Sequence, residues 1–363
     1  MLRHLEDDGQ IIEPEYYCPI LPMLLINGSQ GIGTGWSTHV PSYDPEDVLA
    51  YIRAKLDGLE ELPPIRPYAR GFSGKIEASK DGKGFVTYGR AKKVSATSIV
   101  IDELPLKCWT DQYKERLLKM RDRGEISSFV EDHTTTKVSF KVNMQAVKLQ
   151  RILKSSGGLE AAFKLKANLA TTNINAFDAD GTIRKFESAQ AIADAYFPVR
   201  LSLYHDRKSM LLSEMKHASV LMRNKADFVQ AVVNGDIDLV NGRKSKAEII
   251  EQLKSLGLAS VTALNEIRNN NTTFDRQQIS QQEDSIDADE EKEKDSALTG
   301  DYDYLLNMPL SSLTTEKITQ LNEDATTKEG ALRDIEKMTP EDLWRADLEK
   351  LAPHIYKLKS LAS

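Results

Sequence analysis

The sequence has little cysteine. Two residues, Cys18 and Cys108, stand far apart in 363 positions with no histidines at metal-ligand spacing, which argues against a disulfide framework or a zinc site. A reducing, intracellular compartment fits that usage. Long apolar runs are lacking too: nothing approaches the ~18 residues of a membrane span. The opening MLRHLEDDGQ is charged, without the apolar core of a secretory leader. The six histidines form no nucleophile–base arrangement, and no repeat of solenoid period is visible. At 40% hydrophobic content the chain can build two or three cores, at ~100–200 residues per domain.

A basic excess is missing as well, since the net charge is −7, which on its face argues against a nucleic-acid partner. The distribution changes that reading. Residues 1–200 hold 27 Lys+Arg against 26 Asp+Glu, leaving 21 against 29 for the remainder, so the acidity belongs to the second half. Much of it sits in EDSIDADEEKEKD, Glu283 to Asp295, within an acidic loop at 283–299 whose composition reads as disordered and solvated. Between Lys137 and Ala170 there are seven basic residues and one acid, Glu160, a balance suited to facing phosphate.

What is present begins with a glycine cluster, NGSQGIGTGWSTHVP, Asn27 to Pro41. GIGTG lacks the third glycine of a dinucleotide fingerprint and the Lys-Ser/Thr of a phosphate loop. Two readings stay open: a tightly packed turn, or a backbone that approaches DNA closely while presenting one apolar wedge, Ile32. Side chains such as Ile unstack base steps and kink duplexes by ~20–90°. From Tyr68 to Leu104 the texture is that of strands, with GKIEAS, a turn at Asp81-Gly82, GFVTYG and ATSIVIDELP. A helix is expected over Thr110–Arg123, then a strand in TKVSFKVN (Thr136–Asn143) and a hairpin turn at Asp180-Gly181. Residues 41–185 therefore read as α+β.

Beyond Phe186 a single apolar stripe at spacings of three and four runs to Val233, the pattern of one very long helix. Pro198 inside it is expected to kink it or mark a junction. A helix this long suggests an arm that leaves its domain and pairs with the C-terminal segment running back through TPEDLWRADLEKL. There Thr339 caps, Pro340 takes the first helical position, and Glu341 and Asp342 complement the dipole. Residues between the arms, including KSKAEIIEQLKSLGL and YDYLLNMPL, form a small helical tip. The apolar residues of Tyr302–Leu313 are expected to need a partner surface.

Other candidate sites each have a plainer reading. The pairs Asp178/Asp180, Asp236/Asp238, Asp287/Asp289 and Asp301/Asp303 have the spacing of a magnesium site, but none has a third acid on a neighbouring strand, so they read as solvated turns. The segment GLEAAFKLKANLATTN offers Lys164, Lys166, Asn168, Thr171, Thr172 and Asn173, short donors suited to phosphate oxygens; it is equally an ordinary exposed strand and turn.

Taken together, EPEYYCPILPMLLINGSQGIGTGWSTHVP, YKERLLKM, FKLKANLATTNINAFD, YFPVRLSLYHDRKSMLL, YLLNMPLSSLTTEKI and TPEDLWRADLEKL closely resemble eukaryotic DNA topoisomerase II, in that family's order and across essentially the whole chain. The resemblance implies an α+β fold: a mixed tower domain, long antiparallel coiled-coil arms and a helical C-gate. Residues 1–40 would be the end of a winged-helix domain carrying the wedge, and 41–185 the tower. The first arm would be 186–240, the C-gate 241–310, and the returning arm 311–363. It implies that Ile32 inserts between base pairs and bends gate DNA, and that Trp109 reaches phosphate through its indole N–H, where the plainer reading is a core aromatic. The Lys164–Asn173 segment would contact the DNA backbone.

The resemblance further implies double-stranded DNA and a second copy of the chain as partners, no membrane, and a nuclear location. Magnesium and ATP would serve the intact enzyme, bound upstream of this chain. No Arg-Tyr pair occurs in the 363 residues, so the family's catalytic tyrosine is expected upstream of Met1, and no catalytic or metal-binding residue is assigned here. Two expectations follow: a piece of an enzyme that passes one duplex through a transient break in another, or a standalone, non-catalytic DNA-bending and dimerisation module.

Overall fold

The computed structural model describes residues 4–237, 245–269, 301–309 and 315–360. The acidic stretch 283–299, with Asp287 and Asp289, lies outside the described residues, as do Asp238 and positions 310–313 of the Tyr302–Leu313 segment.

In chain order, β1 (His4–Asp7) and β2 (Gln10–Pro14) form a first hairpin. A short helix, α1 (Met23–Asn27), leads into a second hairpin, β3 (Ser29–Ile32) with β4 (Ser37–Val40). Helix α2 (Pro45–Leu56) starts where the Asp44 carboxylate accepts from the Glu46 N–H and Pro45 needs no partner for a missing donor. Next come β5 (Lys75–Ala78), β6 (Gly84–Tyr88), β7 (Arg90–Lys93), β8 (Ser98–Glu103) and α3 (Thr110–Asp122). They are followed by β9 (Ser128–Glu131), β10 (Phe140–Asn143), α4 (Ala146–Lys154) and α5 (Gly158–Ala162). Strands β11 (Lys166–Ala170), β12 (Ile174–Phe177) and β13 (Ile183–Phe186) precede α6 (Ala189–Asn234). The remaining helices are α7 (Lys246–Ser255), α8 (Val261–Asn269), α9 (Asp303–Leu306), α10 (Thr315–Lys337) and α11 (Pro340–Ser360).

The fold is α+β, and the chain divides into two compact units. One joins Cys18–Arg200 to Arg345–Ser363; the other joins Met1–Tyr17 to Leu201–Trp344. In the first, alternation builds a four-stranded antiparallel sheet in the order β7-β8-β10-β9. Ile99, Ile101, Phe140 and Val142 turn inward from β8 and β10, while Tyr113 and Leu117 of α3, one helical turn apart, cover them. The buried Tyr113 hydroxyl donates to the Phe163 carbonyl at 2.9 Å, so the ring's one polar group is satisfied inside the core. A three-stranded sheet, β11-β6-β5, and the pair β12-β13 complete the strands. Helix α2 is held at both ends by cations of α11: Lys359 donates to Asp44 and Glu46 at 2.7 Å each, and Arg345 to Asp57 at 3.1 Å.

In the second unit α6 runs antiparallel to α10 and the start of α11. Tyr204 stacks on Trp344, Lys208 donates to the Glu336 carbonyl, and Arg223 pairs with Glu329, one number rising as its partner falls. A separate core joins Phe228 and Val229 of α6 to Leu253, Leu258, Tyr302, Leu305 and Leu321. Asn224 reaches into it, donating to the Tyr304 hydroxyl at 2.7 Å, which itself donates to the Ala259 carbonyl at 2.6 Å. Tyr302 and Leu305 are thus buried within their own unit, contrary to the expectation that they need a partner surface.

The cap read from sequence at Thr339 holds: Thr339 and Asp342 exchange side-chain-to-backbone bonds ahead of α11. Ser245 and Glu248, which the sequence reading did not single out, do the same ahead of α7. Pro198 lies inside the 46-residue helix α6, and the boundary between the two units falls two residues on, between Arg200 and Leu201, so the proline stands next to the expected junction. One expectation changes. The strand expected over Thr136–Asn143 is confined to Phe140–Asn143. Ahead of it the chain turns: the Thr134 hydroxyl accepts from the Lys137 N–H, and the Thr134 N–H donates to the Lys137 carbonyl.

Candidate nucleic-acid interface

The glycine cluster is the β3-β4 hairpin. Its register pairs Gln30 with His39, Gly31 with Thr38 and Ile32 with Ser37, and the Gly33 N–H donates to the Trp36 carbonyl at 2.8 Å across the tip. No helix follows to present its N-terminus, so GIGTG lacks the strand–turn–helix context of a dinucleotide site. Ile32 is 92% exposed and Trp36 53%. Holding an isoleucine in water forgoes about 1.5–3 kcal/mol of burial, so its place at a hairpin tip suits insertion into something else.

The hairpin is fixed from behind by β12. The His39 N–H donates to the Asn173 carbonyl at 2.7 Å, the Asn175 amide donates to the Ser37 carbonyl at 2.7 Å and to Asn173 Oδ1 at 2.9 Å, and the Asn173 amide donates to Ser37 Oγ at 3.0 Å. The Asn173 side chain is therefore committed to the hairpin. Its neighbours Thr171, half-buried, and Thr172, exposed, lead into this contact from β11.

On β11 and the residues before it, strand alternation separates the two faces. Phe163, Leu165 and Leu169 are buried, whereas Lys164, Lys166 and Asn168 are exposed together on the other side. Lys164 has a left-handed φ of 49° at the exit from α5. The Lys166 ammonium lies 5.7 Å from the centre of the Tyr88 ring, its cross-strand neighbour. Trp109, at the start of α3, is 72% exposed, so it is no core aromatic.

The turn before Trp109 touches the hairpin: Lys107 Nζ lies 2.6 Å from His39 Nε2. Burial, then the neighbouring Lys107 charge, hold the His39 pKa below its ordinary value. Sequence reading singled out neither residue, because they stand 68 positions apart with no motif between them. Trp36 and Asn175 were missed as well, although both lie inside segments that drew notice for other residues.

Three of the described D-x-D carboxylates are engaged by protein donors. Asp178 accepts from Arg184 at 2.9 Å, Asp301 from the Thr262 N–H and hydroxyl, and Asp303 from Lys246 at 3.0 Å. Among the described residues no cluster of three or more His, Cys, Asp or Glu is arranged to hold a metal ion, and no helix is long and apolar enough to cross a membrane.

Residues 1–349 match the family model for the A-subunit of DNA gyrase/topoisomerase IV. The chain is 37% identical over 357 residues to DNA topoisomerase 2-alpha of Gallus gallus, covering 96% of this chain and 22% of that protein. It is 36% identical over 353 residues to DNA topoisomerase 2 of Penicillium chrysogenum, again over 96% of this chain and 21% of the relative. It thus spans about a fifth of these relatives' length. Among solved structures, the Plasmodium falciparum topoisomerase II DNA-binding, cleavage and re-ligation domain superposes with a TM-score of 0.75 at 31% identity, over 99% of this chain and 47% of that one.

Proposed function

The chain belongs to the DNA gyrase/topoisomerase IV A-subunit family, and from that membership we propose that it is the part of a type II topoisomerase that grips and bends a DNA duplex. The observation that carries this reading is Ile32, almost wholly exposed at the tip of a hairpin that β12 holds in place. Insertion of that side chain between base pairs would recover the burial it forgoes in water, and the recovered energy would offset unstacking.

In this reading Lys164 and Lys166 neutralise backbone phosphates, and Asn168, Thr171 and Thr172 add donors from the same strand and turn. The exposed Trp109 offers its indole N–H to another phosphate, while Asn173 positions the hairpin. Residues 1–40 close a winged-helix domain, 41–185 form the tower, 186–240 and 311–363 are the arms of a coiled coil, and 241–310 form a C-gate through which two copies dimerise. The full-length protein changes DNA topology in the nucleus by passing one duplex through a transient break in another, with ATP and magnesium. The described residues do not fit either cofactor. Asp178 and Asp303 are in ion pairs, Asp301 accepts from Thr262, no group of three His, Cys, Asp or Glu among the described residues is arranged for a metal, and GIGTG is a hairpin tip.

The test is Ile32→Ala. It removes three carbons from the inserted group, which at about 0.8 kcal/mol per buried carbon is ~2.4 kcal/mol, or roughly fifty-fold in the ratio of bent to unbent duplex. Affinity should change far less, because phosphate contacts supply most of it. Energy transfer between the ends of a labelled duplex reads the bend. Equal bending by the two proteins would remove the wedge from the account.

A further inference from the structure

The His39–Lys107 contact has no role in the core of its unit. It joins a half-buried imidazole at the base of the hairpin to an exposed ammonium on the turn before α3. Lys107 has a left-handed φ of 68°, a conformation that costs a residue with a side chain free energy and is kept where the surroundings demand it. Its ammonium can only donate, so at 2.6 Å the His39 Nε2 must accept, and the proton of the neutral ring then sits on Nδ1. That Nδ1 is buried and has no partner among the described residues. Such an N–H forgoes the hydrogen bond it made in water. The ring is thus held neutral with Nε2 facing the ammonium, and protonating it without an anion present would set two cations against each other.

Both residues line a groove of about 1020 Å³. The titratable and charged groups facing it are Tyr68 and Arg70 from the loop after α2, Lys107 from the turn, and Lys359 from α11, whose ammonium is already bonded to Asp44 and Glu46. The strands packed against His39 present uncharged groups: Gln30 opposite it on β3, and Asn173 and Asn175 beside it at β12. No carboxylate is among the described residues that line the groove. The rest of the lining is largely apolar, with Ile26, Pro41, Leu106 and Leu169 among it, so an anion entering beside His39 would find the Lys107 ammonium as its nearest charge and no carboxylate to repel it.

We infer that His39 and Lys107 together form a two-point site for one phosphodiester group of the bound duplex, and that His39 takes up a proton from solvent as that phosphate arrives. The inference rests on the DNA-binding reading above. In the free protein Lys107 donates to Nε2. When a phosphate lies between them, the ammonium turns to one phosphate oxygen, Nε2 gains a proton and donates to another, and the repulsion that disfavours imidazolium is replaced by attraction to the anion. DNA binding is thereby linked to proton uptake. The sign follows from the depressed histidine: affinity is lowest where the ring is neutral in both states and rises as pH falls through the pKa of the complex. It levels off below the pKa of the free protein, which is itself below the ordinary 6.5.

The experiment measures duplex affinity at matched ionic strength from about pH 8 to about pH 5.5 for the wild type, His39→Gln and His39→Lys. One linked proton allows at most about tenfold per pH unit, so the wild type should bind ~3- to 10-fold tighter at the acid end than His39→Gln does, relative to their values at the alkaline end. His39→Lys should bind tightly throughout and lack the histidine's share of the slope. A His39→Gln protein that keeps the full wild-type slope overturns the inference. Duplex binding absent at every pH would instead sink the DNA-binding reading. The site is then judged by the His39 imidazole proton resonance titrated with inorganic phosphate, which also separates a general anion site from one read only within DNA. An upward pKa shift with phosphate, abolished in Lys107→Met, supports the pair, and an unmoved pKa refutes it.

Discussion

Gly28→Ala should damage the fold while Gly31→Ala, three residues nearer the wedge, should leave it intact. Gly28 follows α1 with φ 68° and ψ 175°, a backbone region that only glycine occupies freely. A Cβ there would stand 2.7 Å from the Val40 carbonyl oxygen and 3.0 Å from the Ser42 N–H nitrogen, and both neighbours are backbone that cannot swing aside. The conformational penalty is about 1–3 kcal/mol, and forcing a methyl into closed packing adds about 1–3 kcal/mol. For a unit of this size each kcal/mol lowers Tm by about 2–4 °C, so a loss of roughly 5–20 °C is expected. At Gly31 a Cβ would meet nothing within 4 Å. Replacing a strand glycine there should hold Tm steady or raise it slightly, since glycine in a strand costs about 0.5–1 kcal/mol against alanine. The same open space is where a duplex would come closest to the backbone, so Gly31→Ala should bind duplex more weakly despite its intact fold. Calorimetry or circular dichroism on both variants decides the point. Equal melting of Gly28→Ala and wild type would refute the packing argument, and a Gly31→Ala protein as unstable as Gly28→Ala would refute the division of labour among these glycines.

Neutralising Lys164 and Lys166 together should lower the log–log salt slope of duplex binding by about two, one per phosphate contact, without changing Tm, because both side chains are exposed; an unaltered slope returns the segment to an ordinary exposed strand. Asn175→Ala loses one amide bond to the hairpin, at the Ser37 carbonyl, and one to Asn173 Oδ1, the residue that braces Ser37, worth about 0.5–1.5 kcal/mol each. Amide exchange in Ser29–Val40 should quicken roughly 5- to 100-fold while the core of β8 and β10 stays protected, and unchanged exchange would mean that something other than β12 fixes the tip. Light scattering of the chain in reductant should give twice the 40.7 kDa monomer mass, since dimerisation through helices needs neither Cys18 nor Cys108; a monomer at micromolar concentration would count against the C-gate assignment.

The amino-acid sequence by itself determined whatever depends on neighbours a few residues apart. The cap at Thr339–Asp342, the helix begun at Thr110, the turns at Gly82 and Gly181 and the two-faced strand around Lys164 and Lys166 all follow from spacing and local backbone chemistry. So does Ile32 as an isolated apolar residue among glycines, and the length of α6 follows from one periodic stripe interrupted by a single charge, Arg207. What depends on residues distant in sequence was decided only by tertiary structure. Gly28 is required because Val40 and Ser42 close around it, and Asn173 became a brace because Ser37 lies beside it. Trp109 was left outside because Tyr113 and Leu117 fill the core beneath α3, and Tyr302 and Leu305 found burial within their own unit. The His39–Lys107 contact belongs to the same class: each residue reads locally as an ordinary polar side chain, and only the docking of a turn against a hairpin 68 residues away puts a donor 2.6 Å from a ring nitrogen. Periodicity records which face of an element is apolar, whereas the partner of that face is set by chain topology, which no local pattern encodes.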